Sequence, residues 1–165
     1  GWTYAKYLLE FERGGGMSAQ RRQQDLDHLK HIVADVTAGN PGFNADGHYD
    51  REIARLEIDL KALEMTELRI LSVLASGGNP GAESSVLKLT TVDIEQRTHQ
   101  LAMDVIGYHG LAAEPVARLA ADQDAVGPDY AAPVVPTYLN SRAASIFGGS
   151  QEIQRNIIAK AVLGL

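Results

Sequence analysis

The chain has 165 residues, 45% of them hydrophobic and 22% charged, which is the usage of a globular domain long enough to bury one sizeable core. A net charge of −6 with no run of basic residues excludes nucleic acid and an anionic membrane surface as expected partners. No apolar stretch approaches the ~20 residues that span a bilayer, the lack of cysteine removes disulfides and thiolate chemistry, and a cytoplasmic location is the default expectation.

In chain order, residue spacing predicts a first helix from about Trp2 to Ala38. Trp2, Ala5, Leu8 and Leu9 form an apolar stripe that resumes at Leu26, Leu29, Ile32, Val33 and Val36. Gly14, Gly15 and Gly16 interrupt it. Each glycine costs a helix interior about 1 kcal/mol relative to alanine, so three together either break the helix or admit something bulky against its backbone. Gly39-Asn40-Pro41-Gly42 ends the element. A second helix is expected over Tyr49 to Ser76, packed antiparallel to the first, with Ile53, Leu56, Leu60, Leu63, Ile70 and Leu74 on its buried seam. Glu67 takes the seam place between Leu63 and Ile70. A carboxylate there requires a partner on another helix or a small rotation that exposes it, and its expected role is structural.

Gly77 to Gly81 form the next turn, and a third helix is expected from about Ala82 to Ile106. Leu87, Ile94, Leu101 and Val105 mark its seam, with Thr91 and Thr98 between them. Glycines and prolines dissolve the pattern from Gly107 to Pro136, apart from one short helix at about Glu114 to Ala121. A fourth helix over Pro136 to Phe147 delivers the chain to Gly148-Gly149, where a terminal helix begins. Ile153, Ile157, Ile158 and Ala161 are expected on its apolar face, and Gln154, Arg155 and Lys160 on its wet face. The predicted fold class is therefore all-α, an up-and-down four-helix bundle with a short additional C-terminal helix.

Such a bundle hosts many unrelated functions. A di-iron site needs Glu-x-x-His pairs on facing helices, and the sequence contains none. His28 and His31 share a helical face, but with no third ligand evident they read as solvated, so no metal is expected.

The run Phe-Gly-Gly-Ser-Gln-Glu-Ile-Gln-Arg-Asn-Ile-Ile-Ala, Phe147 to Ala159, resembles the closing signature of the acyl-CoA dehydrogenases, and Gly1 to Arg13 is similar to the segment that opens their C-terminal helical domain. The two ends match in the right order and at about the right separation. The resemblance implies that residues 1–165 correspond to that C-terminal domain alone, without the N-terminal helical and middle β-domains that normally precede it, and that the isolated chain is inactive. It further implies an FAD-dependent parent that dehydrogenates an acyl-CoA thioester between the α and β carbons. Electrons would pass to electron-transfer flavoprotein or a similar acceptor, and the assembly would be a homodimer, a homotetramer or a mixed oligomer.

In this family the carboxylate that removes the α-proton often occupies the position of Gly148, where glycine supplies no base. Other branches place it on the first helix just before an arginine, which implies Glu12 as the base and Arg13 as its neighbour on the substrate. The residues separate Glu12 from Glu10. Glu12 follows Ala5, Leu8 and Leu9 on the apolar stripe, whereas Glu10 lies between Lys6 and Arg13 as a solvated charge would. A carboxylate on an apolar face tends towards a raised pKa, as a base for a weak carbon acid needs; the alternative is that Glu12 pairs with a basic group at a helix contact. The resemblance also implies that Gly149, Ser150 and Glu152 contact the adenosine part of FAD and that the Gly148 N–H helps polarise the thioester oxygen. The competing reading is a cofactor-free helical interaction or oligomerisation subunit, including a non-catalytic partner in a mixed dehydrogenase.

Overall fold

A computed structural model describes residues 1–5, 7–8, 18–112 and 127–164. Among these, residues 2–5 and 7–8 are helical, followed by α1 (Ser18–Gly39), α2 (His48–Ala75), α3 (Glu83–Ile106), a 3-10 helix at Gly107–Leu111, α4 (Val134–Ser141), a second 3-10 helix at Arg142–Ser145 and α5 (Gln151–Leu163). The fold is all-α, and no strand occurs among the described residues. The limits of α2 and α3 fall within one residue of the sequence reading, because polar turns rich in glycine bracket both helices. The glycine triplet and the short helix expected near residues 114–121 lie outside the described residues.

The chain divides into two compact units. Gly1–Gln23, Ile58–Ile94 and Ala144–Leu165 make one; Gln24–Glu57 and Glu95–Ala143 make the other. The first is built on Leu60, Leu63, Ile70, Leu87, Val92, Ile94 and Ala144, and the second on Leu26, Leu29, Ile32, Ile53, Leu56, Val105 and Val134, all buried. Each large aliphatic side chain withdrawn from water in this way contributes about 1.5–3 kcal/mol before entropy is counted.

Polar contacts tie the helices together inside each unit. In the second, Lys30 of α1 pairs with Glu57 of α2 at 2.7 Å. In the first, the start of α1 meets Glu67, further along α2. The end of α4 is tied to α3 in the second unit: Gln96 Nε2 donates to the Ser141 carbonyl at 3.1 Å, and Arg142 Nη2 donates to the Gln96 carbonyl at 3.1 Å.

Glu67 resolves as a cap. It is 6% exposed, and its two oxygens accept the backbone N–H groups of Ser18 at 2.9 Å and Ala19 at 3.1 Å. The first turn of α1 contains no acidic residue, so α2 supplies from 49 residues away the negative group that a helix start needs.

Two expectations are corrected. The fourth helix runs over Val134–Ser141 rather than from Pro136 to Phe147. Pro133 is its N-cap and Pro136 sits in its first turn, where proline's missing N–H costs little, while Thr137 bonds back to the Pro133 carbonyl. After Ser141 the chain tightens into the 3-10 helix. In α5, Gln154 is 0% exposed and Ile153 50% exposed, which reverses the faces read from their hydrophobicity. The buried stripe is Gln154 with the half-buried Ile157 and Ile158, and Ala161 is exposed with the rest of the last turn. The Gln154 amide reaches the carbonyls of the preceding turn, an attachment that hydrophobic spacing does not register.

Candidate functional site

Gly148 and Gly149 connect the second 3-10 helix to α5 with φ of +69° and +96°. Both angles lie where a side chain is strained, which is the local reason for two adjacent glycines. Ser150 then turns to an extended conformation and caps α5, its Oγ accepting the Ile153 N–H at 3.5 Å. Gly164, also at positive φ, closes the other end of the helix.

Glu152 stands exposed in the first turn of α5. Hydrogen bonding from its own backbone N–H, and next from Ser150, holds its carboxyl below the ordinary value, with the Arg155 charge acting in the same direction against a small opposing effect of burial. The helix start therefore carries an anionic acceptor at neutral pH, suited to hydroxyl or amino donors rather than to a phosphate.

Two side chains that sequence reasoning did not single out shape the turn. Lys88, near the start of α3, donates from Nζ to the Ala144 carbonyl at 2.7 Å and lies over the Phe147 ring at 5.1 Å. A Cβ placed on Gly148 would be 3.8 Å from that ammonium. Gln154 donates from Nε2 to the carbonyls of Gly148 at 3.4 Å and Gly149 at 3.3 Å. No sequence signal pointed to Lys88, which lies 60 residues before Gly148. Gln154 was within reach, since it precedes Ile157 by three and Ile158 by four and so shares their face.

The structure places Gly148, Gly149, Ser150 and Glu152 together at this turn. Glu12 and Arg13 lie outside the described residues, so their distance to the turn is not part of its geometry. His28 and His31 are both exposed, and His31 Nδ1 bonds to the Asp27 carbonyl at 2.7 Å. Among the described residues no group of three or more potential ligands could hold a metal ion, and no helix is long and apolar enough to cross a membrane.

The turn suits a polar ligand that carries hydroxyl or amino donors. It offers a backbone free of Cβ atoms at two consecutive positions, an ionised carboxylate for hydroxyl or amino donors, and the start of a helix. Phe147 beside it is 59% exposed and Ile146 is exposed as well, giving apolar surface next to polar donors, as ligand sites combine them.

Comparison with known proteins gives a consistent result. Residues 1–163 match the family model described as acyl-CoA dehydrogenase, C-terminal domain. Acyl-CoA dehydrogenase IpdE1 of Mycobacterium tuberculosis is 33% identical over 168 residues, and the protein of the same name from Mycolicibacterium smegmatis is 32% identical over 171. Each alignment covers 100% of this chain but only 38% and 37% of the relative. Among solved structures, one titled "Tcur3481-Tcur3483 steroid ACAD G363A variant" shares the fold at a TM-score of 0.76 and 19% identity, covering all of this chain and 40% of that one.

Proposed function

The chain belongs to the acyl-CoA dehydrogenase family, as its C-terminal domain, and we propose that it serves a flavin-dependent parent that oxidises an acyl-CoA thioester to the α,β-unsaturated thioester. The match across 163 residues carries this reading, supported by a closing turn whose conformation requires the two glycines. FAD, when bound, supplies the acceptor for the β-hydrogen and its electron pair.

Glu12 takes the α-proton onto its carboxylate as the new double bond forms. That proton is weakly acidic, so the thioester oxygen must be polarised by preorganised donors while the base is held close. The Gly148 N–H is such a donor in this reading, and Arg13 fixes the substrate beside Glu12. Gly149 permits close approach of the cofactor, Ser150 shapes the helix start, and Glu152 accepts from adenosine hydroxyl or amino groups. Electron-transfer flavoprotein or a similar carrier removes the electrons afterwards, and the location is cytoplasmic.

The second reading is a non-catalytic subunit of a mixed oligomer. In a mixed oligomer this subunit would complete the cofactor site while its partner supplies the base. Expression of the full-length parent tells the two apart, since a subunit without its own base would bind flavin that acyl-CoA does not bleach. The reading expects copurifying flavin that loses its colour when an acyl-CoA is added without oxygen. A folded parent that holds no flavin after reconstitution with FAD would overturn it.

A further inference from the structure

Gln154 is a costly residue where it sits. Its side chain is fully buried, and Oε1 finds no hydrogen-bond partner among the described residues. A leucine of similar volume would avoid the loss of an unpaired buried acceptor. What the amide achieves is an attachment to two successive carbonyls, those of Gly148 and Gly149. The described chain contains no cis peptide, and in a trans peptide the carbonyl and the following N–H point in opposite directions. Drawing these two carbonyls towards Gln154 therefore directs the N–H groups of Gly149 and Ser150 away from it. Consecutive N–H groups in a turn with positive φ form a concave site for an oxygen acceptor.

We infer that Gln154 is a positioning residue that aims the N–H groups of Gly149 and Ser150 at an oxygen of a bound adenine nucleotide. The inference rests on the closing turn being the nucleotide contact of the proposed function. Gln154 itself touches no ligand, since its side chain is fully buried and its amide is directed at the two carbonyls. FAD and coenzyme A both carry an adenosine diphosphate, and separate titrations distinguish them.

The test is nuclear magnetic resonance on the 165-residue chain, comparing wild type with Gln154→Leu. In the wild type, FAD or coenzyme A should shift the Gly149 and Ser150 amides selectively, even at millimolar dissociation constants. In Gln154→Leu the N–H vectors of those two residues should reorient without ligand, and the midpoint of the titration should rise at least about tenfold, the expected scale for losing charge-assisted donors. A merely structural role would lower the melting temperature and leave those vectors as they are in the folded fraction. If Gln154→Leu fails to fold, the wild type still decides, because the Gln154 side-chain NH2 must exchange with solvent far more slowly than that of an exposed glutamine. Fast exchange, or unchanged vectors and midpoint in the variant, overturns the assignment. Reoriented vectors in the variant, with no response to either nucleotide in the wild type, would count against the ligand reading of the turn and leave the hold of Gln154 on it standing.

Discussion

At Gly148 the backbone sits at φ +69° with the Lys88 ammonium 3.8 Å from where a side chain would begin. A carboxylate introduced by Gly148→Glu meets two obstacles: left-handed strain of about 1–2 kcal/mol, and pairing with Lys88, which lowers a carboxyl pKa by roughly 1–3 units when the charges are close. A lowered pKa makes a weaker base. Gly148→Glu alone is therefore expected to leave a parent lacking its own base inactive, whereas Gly148→Glu with Lys88→Met should recover more turnover. Measuring the pKa of the introduced carboxyl in the two backgrounds checks the cause directly, and equal values would refute it. The need for glycine was legible in the sequence as a pair before a helix. The ammonium beside it was not, because Lys88 approaches through tertiary packing from α3.

Among the elements, α1 and α5 show opposite ways of starting a helix. Ser150 caps α5 locally, and Glu67 caps α1 from another helix. Glu67→Ala leaves two backbone N–H groups without their acceptor, so the chain should lose about 2 kcal/mol of stability, at the upper end of cap deletions. Urea denaturation measures this, and a loss confined to a few tenths of a kcal/mol would show that water replaces the carboxylate. Glu152 allows a test by pH. Its folded pKa lies below the ordinary carboxylate value, so its contribution to stability is present above the unfolded pKa and disappears as pH falls through the folded one. Glu152→Gln should therefore reduce the stability difference between neutral and acid solution, by an amount kept small by full exposure. Spacing read α2 and α3 to within one residue and marked Glu67 as a group needing a partner. It misjudged α5, because Gln154 is buried by hydrogen bonds to a turn rather than by hydrophobic transfer.

For the molecule as a whole, the aromatic and aliphatic residues at the start of the chain stand out. Trp2 is 71% exposed, and Tyr4, Tyr7 and Leu8 are exposed with it. The sequence marked Trp2 and Leu8 as one apolar stripe, and α2 adds exposed Ile58, Met65 and Leu68. Apolar surface on this scale favours association, so the isolated chain is expected to self-associate at tens of micromolar, and sedimentation as a clean monomer would contradict that. The fold was the most legible property because periodicity and turn chemistry agree along most of the chain. The site was legible at its closing signature, through a resemblance, and less so wherever a distant side chain completes it.

The proposed role of Glu12 as the base of a flavin-dependent acyl-CoA dehydrogenase is tested by anaerobic flavin reduction by an acyl-CoA in the full-length parent, wild type against Glu12→Gln. The variant should fold and retain its flavin while the reduction rate falls by at least about 10²-fold, the usual scale for removing a general base; Glu10→Gln should stay near wild type. Reduction by Glu12→Gln at close to the wild-type rate would contradict it.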